Sequence, residues 1–337
     1  MMAKISRYAA WVLGVSVLWT ATATRAQNFR LYVGNSGGDD ISVIDLGSMK
    51  VVDDFKVGDK VHGLAVQQDG RRLFTTVESD NSLRVVDTAT DKVVSVIKLT
   101  GRPNQCAVTP NGRYVAIPIR DRDAVDVVDV EQRRVVKTLP VSQPHNAFDA
   151  GSNQLIFVSS MGANQINAID LNTMTYSAHI PVGGVPRPYV VTTDGKTLYA
   201  ALSDLHGFAA IDIPHQTILQ RVAMPAEHTT PHPRPFEPIN TLTHGLGLTP
   251  DGRELWVTSL LDDSMYVFDL KANKVVGQVK VGDSPNWVAF TADGKYVAVS
   301  NAGSDDVSVI DVKERREVAR IKVGKIPKRL VAAATGN

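Results

Sequence analysis

Residues 297–322 read VAVSNAGSDDVSVIDVKERREVARIK. Alternating apolar residues at 297–301, 307–311 and 317–322 predict three short β-strands, and the Gly-Ser-Asp-Asp sequence between the first two predicts a tight turn. Six other parts of the chain repeat this pattern. The chain therefore contains seven copies of one antiparallel unit, and the way in which these copies pack determines the fold.

One aspartate marks the period of these units. Asp311 closes the middle strand, and its counterparts are Asp45, Asp87, Asp129, Asp170, Asp212 and Asp269. The gaps between the seven are 42, 42, 41, 42, 57 and 42 residues. A period of about 40 residues with three or four strands per unit is typical of a β-propeller, one blade per repeat. The sequence thus predicts an all-β, seven-bladed β-propeller, and we interpret the repeated aspartates as turn residues rather than catalytic acids.

The first repeat lacks the leading strand that the other repeats have. Residues 324–332, GKIPKRLVA, match that missing strand at the other end of the chain. We therefore expect the first blade to combine three strands from the N-terminus with one from the C-terminus. Such pairing closes the ring and removes its open edges.

The first 26 residues have the pattern of a secretory signal peptide. Lys4 and Arg7 precede a mostly apolar stretch, and Thr24-Arg25-Ala26 provides a cleavage site before Gln27. This predicts residues 1–26 as a signal and residues 27–337 as one propeller domain, periplasmic or secreted and not membrane-bound after cleavage. The alternative is an uncleaved anchor, although the apolar run is shorter than the ~20 residues of a membrane span.

Composition excludes several function classes. Without the signal, 33 basic residues face 35 acidic residues, and no basic stripe remains, which argues against a nucleic-acid partner. Cys106 is the single cysteine, so no internal disulfide is expected, and the absence of Cys-x-x-Cys-His excludes covalently attached haem. The sequence also lacks Gly-x-Ser-x-Gly, His-Glu-x-x-His and phosphate-binding glycine motifs.

The strand sequences LYVGN at 31–35, LWVTS at 255–259 and YVAVSN at 296–301, the last followed by SVID at 308–311, resemble the Tyr-Val-Thr-Asn (YVTN) propeller repeat. The resemblance covers residues 30–335. It implies a seven-bladed fold and an exported bacterial or archaeal protein. By the same resemblance, the chain is similar to the propellers of lactonases, of amine dehydrogenase heavy subunits, and of the haem or copper enzymes of denitrification. The insertion described below resembles that of a subgroup associated with quinone-dependent alcohol catabolism.

Function is expected where the repeats differ and their loops gather. The residues that follow the leading Pro, or its equivalent, should border the mouth of the central tunnel: His62, Asn104, His145, Arg187, His244, Asn286 and Lys328. The next position in each repeat reads Gly63, Gln105, Asn146, Pro188, Gly245, Trp287 and Arg329. We predict a ligand site formed by the first set together with Trp287.

The 57-residue gap adds about fifteen residues between blades five and six, at about 226–240. Its prolines predict an extended segment, so His228 and His232 cannot share a helical face. We expect this insertion and His206 to lie on the same face as the tunnel mouth.

Two interpretations of the mouth stay open. Its polar residues form a hydrated collar, or they bind a metal ion or an anionic cofactor or ligand. For a metal, the candidate ligands are His62, His145 and His244, with His228 and His232 as a second set. For an anion, Arg187 and Lys328 supply positive charge. The predicted function is a binding platform for a periplasmic protein or a small anionic ligand, accessory to periplasmic redox catabolism. The alternative is an enzyme, a lactonase-like hydrolase or a metal-dependent redox protein.

Overall fold

The computed structural model describes residues 28–230 and 241–335, which form seven four-stranded antiparallel sheets. The innermost strands of blades one to seven are β28 (Pro327–Ala334), β4 (Val61–Val66), β8 (Ala107–Val108), β12 (Pro144–Ser152), β16 (Pro186–Val191), β20 (Leu246–Leu248) and β24 (Pro285–Phe290). The second strands are β1 (Phe29–Asn35), β5 (Arg72–Val77), β9 (Tyr114–Ile119), β13 (Leu155–Ser160), β17 (Thr197–Leu202), β21 (Glu254–Ser259) and β25 (Tyr296–Asn301).

The outer half of each blade is equally regular. The third strands are β2 (Asp40–Asp45), β6 (Ser82–Asp87), β10 (Ala124–Asp129), β14 (Gln165–Asp170), β18 (Gly207–Asp212), β22 (Ser264–Asp269) and β26 (Asp306–Asp311). The outermost strands are β3 (Lys50–Lys56), β7 (Lys92–Lys98), β11 (Arg134–Pro140), β15 (Thr175–Pro181), β19 (Thr217–Ala223), β23 (Lys274–Lys280) and β27 (Arg316–Lys322). Within the described ranges no helix is long and apolar enough to cross a membrane.

The first blade is shared between the two ends of the chain, as the sequence predicts. Strand β28 pairs antiparallel with β1, from Phe29 opposite Ala334 to Asn35 opposite Pro327. The backbone N–H of Thr335 also donates to the carbonyl of Asn28 at 2.9 Å. The ring is therefore closed by a strand ladder, the fold of a seven-bladed propeller.

The repeated aspartates are confirmed as turn residues. In every blade the carboxylate that ends the third strand accepts a backbone N–H from two or three residues ahead, as Asp311 does from Glu314 at 2.8 Å. The Asp-Gly corners between first and second strands place glycine at positive φ, 69° at Gly294 for example. Glycine adopts that backbone conformation at the lowest cost because it has no Cβ atom, which explains its place in the repeat.

The core consists of seven apolar layers, one between each pair of neighbouring blades. The second and third strands are buried on both faces, with Trp256 and Phe208 fully buried. The outermost strands alternate between exposed and half-buried residues, because successive side chains point to opposite faces of the sheet and one face is less covered by the neighbouring blade. No disulfide contributes, since Cys106 is buried and unpaired.

The same end of every blade contributes to one mouth of the tunnel. Each innermost strand begins beside the point where its second strand ends. The residue after that second strand donates its N–H to the segment that leads into the innermost strand. Glu78 bonds in this way to Lys60, Arg120 to Arg102 and Ser203 to Val185. Side chains from these two sets of positions therefore share one rim.

Candidate functional site

The predicted ring of polar residues lies at this mouth. Six of the eight predicted residues lie within the first three residues of an innermost strand: His62, His145, Arg187, Asn286, Trp287 and Lys328. The other two, Asn104 and His244, lie just before β8 and β20. His62, Asn104, His145, His244 and Asn286 are buried, whereas Arg187, Trp287 and Lys328 are half-buried. The mouth thus combines solvent-reachable cations with a buried floor of amides and imidazoles.

Two histidines from blades four and six meet across the tunnel. The ring centroids of His145 and His244 lie 6.2 Å apart with their planes nearly perpendicular. Burial lowers the pKa of both imidazoles well below the ordinary value, and the charges of Arg187 and Arg329 lower it further. Both rings are therefore neutral at pH 7, so the positive charge at the mouth belongs to arginine and lysine.

The proton positions on these rings follow from their partners. The Nη1 group of Arg187 lies 3.4 Å from Nε2 of His145. A guanidinium only donates, so Nε2 accepts and the His145 proton sits on Nδ1. His244 instead donates from Nδ1 to the carbonyl of Asn286 at 2.9 Å, which leaves its Nε2 as an acceptor.

A third histidine is paired with a carboxylate. The Nδ1 atom of His62 contacts Oε1 of Glu78. Burial lowers the pKa of His62 to about 4 against the raising effect of Glu78, and the charges of Arg329 and Lys328 act in the same direction as burial. Burial, the largest single effect, raises the pKa of Glu78, but the hydrogen bond and charge of His62 together with the charges of Arg120 and Arg102 lower it by more, so the net pKa is lowered. A neutral imidazole thus donates to an ionised carboxylate, and Nε2 of His62 keeps its lone pair.

Among the described residues, the most buried cation at the mouth is Arg329, which is 2% exposed. Its Nη1 donates to Oδ1 of Asn286 at 3.0 Å, and its guanidinium stacks 4.3 Å above the ring of Trp287. Burial, then the charges of Arg120 and Arg187, lowers the pKa of Arg329 to about 9. The group remains charged at pH 7 in a place where its charge is disfavoured.

The cations become more buried from the rim inwards. Arg120 is exposed, Arg187 and Lys328 are half-buried and Arg329 is buried. The Nε atom of Arg187 donates to Oγ of Ser203 at 2.6 Å, which orients its guanidinium. A positive potential that becomes stronger towards the inside of a cleft attracts anions and raises their local concentration there.

Three residues of the site escaped the sequence prediction: Arg329, Glu78 and Arg120. Arg329 stands at the second position of the ring alignment, beside the predicted Lys328. Glu78 and Arg120 follow the second strands, where the seven repeats read Ser36, Glu78, Arg120, Met161, Ser203, Leu260 and Ala302. When the seven repeats are aligned, this position is irregular, because charged residues stand among small and apolar ones. That irregularity is the sequence signal that would have identified Glu78 and Arg120.

Several buried polar atoms around the mouth have no hydrogen-bond partner in the described part of the chain. They include Asn104 Nδ2, His145 Nδ1, Asn286 Nδ2, Arg329 Nε, and both Nδ2 and Oδ1 of Asn146. Most are donors. A buried donor without an acceptor costs about 1–3 kcal/mol. Such a concentration of orphaned donors indicates a place that an acceptor-rich group would complete.

The histidine-based metal hypothesis stays a prediction. Across residues 28–230 and 241–335, no group of three or more His, Cys, Asp and Glu side chains could hold a metal ion. His228 is exposed, and its backbone N–H donates to Asp262 at 3.0 Å. His232 and most of the predicted insertion lie outside the described residues. His206 lies beside the end of the second strand of blade six, with its Nε2 at 2.9 Å from Oγ of Ser259, the last residue of β21.

The opposite face carries interblade clefts, and those with volumes of about 360 and 530 Å³ lie between blades six and seven and between blades one and two. Each cleft contains a polar side chain that is paired with a residue of the neighbouring blade. Arg315 contacts Glu254 at 2.6 Å, and Tyr32 donates to Asp91 at 3.0 Å. These pairs join neighbouring blades, so we interpret the clefts as blade junctions and the tunnel mouth as the functional site.

Solved structures similar to this chain share its fold at low sequence identity. A functionally unknown protein from Desulfotomaculum acetoxidans has a TM-score of 0.76 and 14% identity, with 91% of this chain and 99% of that chain covered. Kuenenia stuttgartiensis hydrazine synthase has a TM-score of 0.69 and 20% identity, with coverages of 82% and 96%. Dihydro-heme d1 dehydrogenase NirN in complex with DHE has a TM-score of 0.66 and 15% identity, and this chain covers 63% of it with 87% of its own residues.

The sequence itself matches none of the curated proteins. It does match one family profile, described as lactonase, 7-bladed beta-propeller, over residues 30–329. That range includes residues of all seven blades and the tunnel-mouth residues discussed above. The chain therefore belongs to the lactonase family of seven-bladed β-propellers.

Proposed function

We propose that this protein binds a small organic anion at the tunnel mouth. The observation that carries the proposal is Arg329, a charged guanidinium that is 2% exposed, crowded by Arg120 and Arg187, and left with an unpartnered Nε among the described residues. A buried cation beside like charges is unfavourable unless an anion compensates it. Neutral histidines and amide donors around it suit the oxygens of such a ligand.

Calorimetric titration of the purified protein with acetate, succinate, citrate and inorganic phosphate at low ionic strength tests this proposal. At least one anion should bind to the wild type and lose about 10–100-fold in affinity in Arg187→Gln, because a charge-assisted hydrogen bond contributes about 1.5–3 kcal/mol. Arg253→Gln is the matched control, since that arginine lies at an Asp-Gly corner on the other face with its side chain 83% exposed. Absence of binding by every anion, or equal losses in both variants, contradicts the proposal.

A second candidate is hydrolysis of a lactone or ester, favoured by the contact between Glu78 and His62. A neutral imidazole oriented by a carboxylate is the arrangement of a general base, and Arg329 or Arg187 could stabilise a developing oxyanion. Lactone opening followed as acid release should then fall by about 10²–10⁴-fold in His62→Gln, the usual contribution of general base catalysis. If the activity of the wild type and of His62→Gln is equal, the enzyme hypothesis is wrong and the binding function stands.

The cellular setting is a separate part of the proposal. We propose that the chain is an exported propeller of the Tyr-Val-Thr-Asn type, that residues 1–26 are removed, and that the mature protein acts in the periplasm with a protein partner of redox catabolism. Mass determination of the protein recovered from the periplasm of an expressing bacterium tests export, since cleavage predicts Gln27 at the N-terminus. Full-length protein retained in the cell pellet would contradict it.

A further inference from the structure

We propose that Ser300 is a positioning residue of the tunnel mouth, and that its hydroxyl group holds Arg329 and Trp287 in place for the anion. This inference rests on the proposed anion-binding function and adds a residue that acts on the site through its neighbours. Ser300 is the fifth residue of β25, the second strand of blade seven, and it is fully buried.

The innermost strands of blades seven and one are irregular where they reach the mouth. The pairing register shifts at Asn286 in blade seven and at Lys328 in blade one. A β-bulge of this kind turns side chains in a new direction, but it also takes backbone groups out of the ladder. A buried backbone N–H or C=O then needs another hydrogen-bond partner.

The hydroxyl of Ser300 is such a partner for both strands. Its Oγ accepts the backbone N–H of Trp287 at 3.1 Å and donates to the carbonyl oxygen of Lys328 at 3.0 Å. A hydroxyl can do both at once because it has one donor hydrogen and two acceptor lone pairs. The Lys328 carbonyl belongs to the peptide bond that leads into Arg329. One side chain therefore fixes the backbones of Trp287 and Arg329, which belong to different blades.

These two backbones carry the stacked pair at the mouth. The guanidinium of Arg329 lies 4.3 Å from the centroid of the Trp287 ring and donates to Asn286 at 3.0 Å. Both contacts join blade one to blade seven, so the relative placement of the two innermost strands sets the position of the guanidinium. A cation–π contact requires a distance within about 6 Å, so a displacement of about 2 Å between these strands would remove it.

The same strand position carries a hydroxyl in three other blades. The counterparts of Ser300 are Thr76, Ser159 and Thr258, whereas blades one, three and five have Gly34, Pro118 and Ala201. The three counterparts accept the backbone N–H groups of Gly63, Asn146 and Gly245, which directly follow His62, His145 and His244. Thr76 also donates to the next blade, at the carbonyl of Asn104. The hydroxyl thus accompanies the mouth histidines as well, which ties its role to the mouth.

The experiment compares three variants with the wild type. Ser300→Ala removes the hydroxyl, and Ser300→Thr keeps it in a residue type that blades two and six have at this position. Ser42→Ala is the matched control, because Ser42 is equally buried and its hydroxyl accepts a hydrogen bond from the side chain of Asn35 at 3.0 Å. Urea denaturation of each variant measures the structural contribution of the lost hydroxyl.

Acrylamide quenching of tryptophan fluorescence tests the position of the stacked pair without any ligand. Trp256 is fully buried, so a change in quenching among the described residues reports Trp287. Trp11 and Trp19 precede the described residues and are the same in every variant. Ser300→Ala should increase the quenching and shift the emission to longer wavelength, because the Trp287 ring loses the guanidinium that covers it. Ser300→Thr and the control should match the wild type.

Calorimetric titration with acetate, succinate, citrate and inorganic phosphate then measures the effect on binding. Ser300→Ala should weaken each anion that binds to the wild type by ~10-fold, the effect of about one hydrogen bond. Ser300→Thr should restore the affinity, and the control should not change it. A purely structural role lowers the stability of Ser300→Ala and leaves the affinity of the folded protein unaltered.

The outcomes separate this inference from the proposed function. If Ser300→Ala is less stable but matches the wild type in quenching and affinity, or if the control changes equally, the inference is overturned while anion binding stands. If quenching rises in Ser300→Ala and none of the four anions binds to the wild type, Ser300 positions the pair and the proposed function fails. If Ser300→Ala does not fold, Ser300→Cys carries the same expectations, since a thiol is a weaker donor and acceptor of similar size.

Discussion

Replacing Arg329 by methionine should stabilise the ligand-free protein or leave its stability unchanged. The buried guanidinium is retained, in our interpretation, for a ligand and not for the fold. Methionine keeps an unbranched apolar stem of comparable reach and removes the charge. The variant therefore separates what Arg329 contributes to packing from what its charge contributes.

The magnitude follows from the contacts of this one side chain. Burial first, then Arg120 and Arg187, lowers its pKa from 12.5 to about 9. At ~1.36 kcal/mol per pKa unit, the charged form is disfavoured in the folded state by about 5 kcal/mol. Loss of the hydrogen bond to Asn286 offsets about 1.5–3 kcal/mol of this, and loss of the stacking on Trp287 about 0.5–2 kcal/mol. The net expectation is a gain of about 0–3 kcal/mol in the free energy of unfolding.

Urea denaturation followed by circular dichroism measures this gain, with and without saturating citrate. Arg253→Met is the control and should stay within ~0.5 kcal/mol of the wild type, because its side chain is 83% exposed. With citrate present the order should reverse, since only the wild type is stabilised by binding. If Arg329→Met is less stable than the wild type without ligand by more than ~1 kcal/mol, Arg329 supports the fold directly and the reasoning is refuted.

Three further predictions follow from the same contacts. Burial lowers the pKa of His62 from 6.5 to about 4, so the unfolded state binds more protons in this range and stability falls as the pH drops from 6.5 to about 4, by about 3 kcal/mol from this residue. His62→Gln should flatten that loss in urea titrations and His215→Gln, an exposed control, should not. Deletion of residues 328–337 should open the ring and cause a large loss of solubility; a truncated protein that melts like the parent argues against the shared blade. Burial raises the pKa of Cys106 to about 12, so a thiol reagent should modify the folded protein far more slowly than the urea-unfolded protein, and equal rates would contradict its burial.

The fold could be predicted almost completely because its signals are local and repeated. A turn aspartate bonds to a backbone amide two or three residues ahead, as Asp311 does with Glu314, so its spacing reports the blade directly. The shared first blade was predictable as well, because residues 324–332 have the pattern of a leading strand and the N-terminal repeat lacks one. Each strand pattern depends only on residues close together in the chain, and the repeat shows which of these strands belong to one blade.

The site was predicted in outline, through contacts separated by one repeat. Arg187 meets His145 from 42 residues away, and Arg329 meets Asn286 from 43 residues away. In a closed ring, the same position of successive blades lies side by side, so the period itself indicates which residues share the rim. The alignment position that contains Glu78 and Arg120 was overlooked because it follows the second strands, whereas the prediction considered only the start of the innermost strands.

The chain's period by itself determined a closed wheel of seven blades and the positions that border its tunnel, since strand pairing and turn geometry follow from short-range patterns. Only the tertiary structure decided that His145 meets His244 across the tunnel, that Glu78 orients His62, and that Arg329 is buried while its neighbour Lys328 is half-exposed. The physical reason is that contacts across the tunnel depend on its width and on the reach of each side chain, and neither quantity is periodic in the sequence.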